Sequence, residues 1–135
     1  MKAFDTAVLL ALLEGDRSAK ELARKLRGVE VATTEANMLE LAFLAAKGSP
    51  RGRGRRREAL DRLRRKVTVL PLDFRAVAEA ERRASKGEGP SSPLLAGMLG
   101  ALEAAGCDEL FTSDPQECGG QWRFKTVKFT RHHTK

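Results

Sequence analysis

Apolar and polar positions along this chain switch repeatedly between a two-residue and a 3.6-residue period. That pattern predicts strands alternating with helices. Residues 2–5 read as a short strand, followed by an apolar helix over about 7–13 that Gly15 stops. Ser18 is the expected N-cap of a second, amphipathic helix through Arg27, with Ala19, Leu22, Ala23 and Leu26 on its apolar face. Residues 29–33 read as a strand, and Thr34 as the cap of a helix from Glu35 to about Lys47, closed by Gly48 and Pro50. Residues 51–55 are expected to form a loop, and an arginine-rich helix to run from there to about Lys66. A short buried strand over 67–70 follows, then a helix over 74–84 capped by Asp73. The stretch SKGEGP at 85–90 is a connector, 94–105 an apolar helix of small residues, and 109–112 a strand. The segment WRFKTVKF alternates apolar and basic residues, which predicts an exposed edge strand, and 130–135 is a short polar tail. Such alternation implies an α/β domain over 1–135, a three-layer α/β/α sandwich with a mainly parallel central sheet.

No apolar run approaches the roughly 20 residues that span a bilayer, so no membrane partner is expected. An acid at position 5 comes too early for a secretory leader. Cys107 and Cys118 lie eleven residues apart without a metal-ligand pattern, as expected of reduced thiols in a cytoplasmic protein. The net charge of +7, with a pI near 9.9, points to a polyanionic partner. The excess concentrates in residues 51–66, RGRGRRREALDRLRRK, where nine basic side chains face two acidic ones. A solvated helix face is the ordinary explanation of such a run. Its arginine preference favours phosphate, because guanidinium forks match phosphate oxygens in pairs. Arg51, Arg53, Arg55, Arg56 and Arg57 are therefore candidate RNA-binding residues. No aromatic interleaves with them, so recognition would be of the backbone and sensitive to salt.

Three carboxylates close, or lie within, short apolar runs. Asp5 follows the first strand within FDTAVLL, Glu40 sits mid-helix among Met38, Leu39, Leu41 and Phe43, and Asp114 closes LFTSD. Singly, each has an ordinary explanation as a helix cap, a surface glutamate or a turn residue before proline. Carboxylates converging at the carboxyl ends of parallel strands would instead hold a hard divalent cation suited to phosphodiester chemistry.

In this order the segments KAFDTAVLLALLEG, VATTEANMLEL and SSPLLAGMLGALEAAGCDELFTSD make the chain resemble the PIN-domain ribonucleases, and among them the VapC-type toxins of toxin–antitoxin pairs. The resemblance covers nearly the whole chain. It implies a PIN-like fold and an acidic pocket binding Mg2+ or Mn2+, in which Asp5, Asp114 and Glu40 are metal ligands and catalytic. Thr6 and Thr112 would support that pocket through hydroxyl hydrogen bonds. Ser92 falls where the pattern has its third carboxylate, and Glu117, shortly after Thr-x-Asp, would make up part of the lost charge. Asp73 and Glu88 are poorer candidates on position. The resemblance further implies an endoribonuclease that cleaves cellular RNA by water attack on a phosphodiester, a homodimer, and a small antitoxin protein that occludes the pocket.

Two other readings stay open. The neutral Ser92 suits a catalytically weakened or inactive PIN-like protein that only binds RNA. A receiver-like phosphotransfer domain also gathers carboxylates at strand ends, but no paired acid follows the first strand here. His132 and His133 sit in the polar tail, and no serine or cysteine nucleophile has an adjacent base.

Overall fold

Eleven elements alternate along the chain in a computed structural model that describes residues 1–87, 93–113 and 124–128. In order they are β1 (Lys2–Phe4), α1 (Thr6–Leu13), α2 (Arg17–Lys25), β2 (Val31–Thr34), α3 (Glu35–Lys47) and α4 (Arg53–Lys66). There follow β3 (Thr68–Leu70), α5 (Phe74–Ser85), α6 (Pro93–Ala104), β4 (Glu109–Ser113) and β5 (Phe124–Lys128). The strands make one sheet in the order β3-β2-β1-β4-β5, parallel except for β5, which pairs antiparallel with β4 at one edge.

Alternation along the central strand sets the layers. Phe4 points to one face and joins Val8, Leu9, Met38, Leu41 and Leu60 from α1, α3 and α4. Ala3 points to the other and joins Ala32, Leu110, Cys107 and Leu102, the last of these from α6. On the first face Phe4 also meets Phe111 edge-on, with ring centroids 6.0 Å apart. Helices α1 to α4 thus cover one face, while α6, with α5 beside it, covers the other. The result is an α/β/α sandwich with a mainly parallel sheet, as the alternating pattern implies.

The order matters for function. The chain runs from β1 outward to β2 and β3, then returns to place β4 on the other side of β1. Crossovers on either side of that reversal lie on opposite faces, which opens a crevice at the carboxyl ends of β1 and β4. Asp5 is the first residue beyond β1, at that crevice.

Several local expectations need correction. Ser18 does not cap the second helix: Asp16 does, its carboxylate accepting from the Ala19 N–H at 3.0 Å, and the helix ends at Lys25 rather than Arg27. Asp accepts at least as well as Ser at an N-cap, so the earlier residue captured the helix start. Strand β3 is half-buried rather than buried, because it lies at the sheet edge with β2 as its one neighbour. The 51–55 segment is not all loop, since α4 begins at Arg53, entered through Gly52 at φ +85°. Thr34 caps α3 as expected, and β5 occupies the edge that the alternating tail predicts. The 130–135 tail and residues 88–90 of the connector lie outside the described residues.

Arg56 has a structural task. Its Nε donates to the Ala45 carbonyl at 2.9 Å, and its two terminal nitrogens donate to the carbonyls of Arg51 and Ser49. The guanidinium therefore closes the turn between α3 and α4 by satisfying one carbonyl in the last turn of α3 and two in the connection itself. Gly48 allows this approach, because a Cβ there would come 2.8 Å from the guanidinium carbon. We expect Arg56→Ala to lower the unfolding free energy by about 1–3 kcal/mol in urea titrations, with Arg56→Lys recovering only part. An unchanged denaturation midpoint in both variants would contradict the clamp.

Candidate active site

Asp5 is fixed from three sides. Its backbone N–H donates to the Phe111 carbonyl at 3.2 Å, continuing the pairing of β1 with β4. One carboxylate oxygen caps α1 by accepting the Val8 N–H at 3.1 Å, and the other accepts the Thr112 hydroxyl from β4. The ordinary explanation of Asp5 as a helix cap therefore holds, and it does not exhaust the residue. Burial is the main influence on this carboxyl and pushes its pKa up. The Thr112 hydroxyl and the N–H groups of Val8 and Ala7 pull it down, while the negative charge of Glu40 adds to the upward push.

Glu40 reaches this neighbourhood from α3, where it is exposed. It stands on the rim of an open groove of about 850 Å3 whose walls include Leu39, Phe43, Leu94 and Met98. Thr6, the first residue of α1, is buried, and its hydroxyl accepts from the Asn37 side-chain amide at 2.9 Å. Its contact is thus with Asn37, while Thr112 is the hydroxyl that touches an acid. Asp114, Ser92 and Glu117 lie outside the described residues; β4, which ends at Ser113, is the strand that leads to Asp114.

Asn37 was missed by sequence reasoning. It is 2% exposed, and its side-chain oxygen accepts both the Thr34 hydroxyl (2.7 Å) and the Thr34 N–H (3.3 Å). Its own N–H donates to the Thr34 hydroxyl at 3.3 Å, completing a capping box with asparagine in the third position. Through Thr6 the same side chain ties the start of α3 to the start of α1. This fixes the two helices that carry Asp5 and Glu40 to each other. The spacing Thr34-Glu35-Ala36-Asn37 was the available signal.

Among the described residues, the arginines are not brought to Asp5 or Glu40. Helix α4 packs against the far ends of α1 and α3, with Leu60 and Leu63 in the core and Arg53, Arg57 and Arg64 lining a cavity of about 260 Å3 beside Ala42, Ala45 and Ala46. Arg51, Arg53, Arg55 and Arg57 are exposed, whereas Arg56 is engaged by its three carbonyls.

Oxygen donors of this kind suit a hard divalent cation. A cation beside Asp5 would offset both the burial of its charge and the repulsion from Glu40. Among the described residues no three Asp, Glu, His or Cys side chains gather into a metal site, so Asp5 and Glu40 need further oxygens from elsewhere.

The family model for the PIN domain matches residues 2–116, and the chain belongs to that family, whose members are nucleases. No curated protein matches it significantly in sequence. Among solved structures the fold is similar to VapBC2 from Rickettsia felis bound to a promoter DNA fragment, with TM-score 0.64, 13% identity, and 87% of this chain and 90% of that one covered. It is also similar to VapC20 of Mycobacterium tuberculosis, a toxin that cleaves the sarcin–ricin loop, with TM-score 0.60, 16% identity, and 91% and 97% covered. A toxin–antitoxin complex from Klebsiella pneumoniae gives TM-score 0.62, 20% identity, and 89% and 92% covered.

Two outcomes follow from this geometry. Folding raises the Asp5 pKa, so the folded chain holds that proton more tightly than the unfolded one. The resulting stability is complete below the ordinary carboxylate range and is lost as pH rises through the raised value. In metal-free buffer, Asp5→Asn should therefore become more stable relative to the parent chain as pH climbs from about 4 towards neutrality. Parallel stability profiles for the two proteins would show that the charge is not buried. Separately, Asn37→Leu keeps the volume but removes the acceptor of the buried Thr34 N–H and hydroxyl and the donor to the Thr6 hydroxyl, and should cost about 2–4 kcal/mol in urea unfolding.

Proposed function

We propose that the chain is a metal-dependent endoribonuclease of the PIN type, a VapC-like toxin acting on RNA in the cytoplasm. The carrying observation is the Asp5 carboxylate, placed at the crevice beside β4, raised in pKa by burial and set in the field of Glu40. Membership of a nuclease family gives the reaction class, and the toxin structures of similar fold support the narrower reading.

In this reading Asp5, Glu40 and Asp114 hold Mg2+ or Mn2+, and Glu117 and Ser92 complete the ligand set. When bound, the ion supplies charge for the phosphoryl oxygens and lowers the pKa of an attacking water. The protein's own part is to orient. Thr112 holds one Asp5 oxygen and the α1 amide holds the other, so the carboxylate presents its remaining lone pairs in a fixed direction. Asn37 keeps the helix of Glu40 at a set distance from that of Asp5.

Arg51, Arg53, Arg55 and Arg57 would grip RNA phosphates. Helix α4 supports this, because Arg53, Arg55, Arg56 and Arg57 stand in its first turns, where the helix dipole disfavours cations, no acid lies in the first turn and no side chain caps it. Carbonyl oxygens engage Arg56 and, at 3.5 Å, Arg53, while no carboxylate pairs with Arg55 or Arg57 among the described residues, where a phosphate would. Leu39, Phe43, Phe74, Val77 and Leu94 are exposed, Phe74 by 90%, and this apolar surface fits a homodimer and a small antitoxin. No described helix is long and apolar enough to cross a membrane.

The purified chain should cleave RNA with Mn2+ or Mg2+ and lose that activity with chelator or in Asp5→Asn, Glu40→Gln and Asp114→Asn. Thr112→Val, which removes only a supporting hydrogen bond, should lose about 10- to 100-fold. Mn2+ should also raise the melting temperature of the parent chain but not of Asp5→Asn, a readout independent of turnover. Ser92 favours one other reading, an RNA-binding protein without cleavage. RNA binding with no cleavage under any of these metals would select it.

A further inference from the structure

Helix α4 carries a second basic flank that the arginines of 51–57 do not include. Around the helix, Arg53, Arg57 and Arg64 face α3, while Arg62 and Lys66, one turn apart, lie across the apolar strip of Ala59 and Leu63. They form one wall of a groove of about 370 Å3 between α4 and α2. Lys20 stands on the opposite wall, and Leu12, Leu13 and Leu63 form the floor. Lys20 also borders an adjoining hollow on α2, which adds Arg17 and Arg24 one turn to either side.

Five cations and a single acid, Glu21, thus line a continuous surface. All five cations are exposed, and none makes an ion pair among the described residues. The chain does pair cations elsewhere: Lys2 with Asp108 and Glu109, and Arg82 with Glu79. An ordinary solvated face intersperses both signs, whereas one sign gathered in a groove repels itself until an anion enters.

Position adds the second argument. The floor residues Leu12 and Leu13 end α1, and Asp5 caps its beginning. Eight helical residues at 1.5 Å each separate groove and acid by roughly 12 Å. A ligand touching both must be longer than the few atoms that react. The chemistry of the walls selects its class. Among the described residues lining it there is no aromatic to stack a base and no large exposed apolar anchor of the kind protein interfaces use. The exposed apolar anchors lie mainly on α3, α5 and α6.

We propose that the α2–α4 groove binds the phosphate backbone of a folded RNA at a distance from the bond that is cut, with Lys20, Arg62 and Lys66 as the principal contacts. That the bound RNA is also the substrate rests on the nuclease reading above; the groove's affinity does not.

The test uses the full chain and unfractionated transfer RNA, with fluorescence anisotropy in chelator so that cleavage plays no part. The combined variant Lys20→Ala, Arg62→Ala, Lys66→Ala should bind at least about tenfold more weakly, and its log–log salt slope should fall by about 2 to 3. The charge-keeping variant Lys20→Arg, Arg62→Lys, Lys66→Arg should stay within about twofold of the parent, which separates lost charge from lost fold. A single-stranded RNA oligomer too short to reach from Asp5 to the groove should be cut equally by parent and alanine variant with Mn2+. Transfer RNA binding of parental affinity and slope in the alanine variant would overturn the proposal. So would loss of binding to an acidic protein with transfer RNA affinity intact. A parent chain that binds transfer RNA but cuts no RNA with any divalent metal would remove the nuclease reading and leave the groove standing.

Discussion

The hydrogen bond between the Thr112 hydroxyl and the Asp5 carboxylate joins two things that must coincide for this chain to work. It locks the carboxyl end of β1 to β4 across the point where the sheet order reverses, and it aims the acid. The same carboxylate caps α1, so strand pairing, helix start and site geometry share one group. This economy has a physical cost, because a carboxylate partly removed from water is held there by one hydroxyl and backbone N–H groups while Glu40 pushes against it. Helix capping alone would be met as well by a serine or an asparagine, neither of which carries a charge to bury.

The charge of the molecule is arranged along α1. The acids stand at the amino end of that helix, and the cations of α2 and α4 gather around its carboxyl end. A polyanion would thereby be drawn to a surface other than the acidic crevice, and repulsion between the crevice and a phosphate would be met by attraction a short distance away. Sequence charge counts overstate the reagent available, because Arg56 spends its guanidinium on carbonyls in the last turn of α3 and the connection to α4. Side-chain geometry alone separates that structural arginine from its exposed neighbours Arg55 and Arg57.

The alternation of elements was legible because each described strand is short, α1, α2, α3 and α5 are capped by Asp or Thr, and glycines mark the turns. Thr34 and Asp73 were read as caps correctly. Asp16 was overlooked in favour of Ser18 because two acceptors lie within one turn, and only the fold shows which N–H groups are in reach. The half-burial of β3 depends on which strand ends up at the edge, a property of topology that Val-Thr-Val-Leu does not encode. Asn37 escaped because its bonds to Thr6 span 31 residues, and a polar residue in an apolar helix reads locally as surface. Of the predicted acids, Asp5 and Glu40 are placed in one electrostatic neighbourhood, while Asp114, Ser92 and Glu117 lie outside the described residues.

Capping a helix and holding a cation are compatible uses of one aspartate. Each carboxylate oxygen has two lone-pair directions, and the N–H groups of Val8 and Ala7 with the Thr112 hydroxyl do not use all four. What remains is open to an ion, at an orientation set by hydroxyl and backbone groups that carry no charge of their own. Glu40 differs in kind. It is an exposed side chain on a longer stem, so it contributes charge more readily than fixed geometry. A site built from one rigid and one adaptable carboxylate leaves the affinity for a divalent cation to whatever further oxygens join them. Under the proposed nuclease reading, the identity of residue 92, serine where a third carboxylate would add a full negative charge, would bear on how tightly an ion is held more than on where it sits.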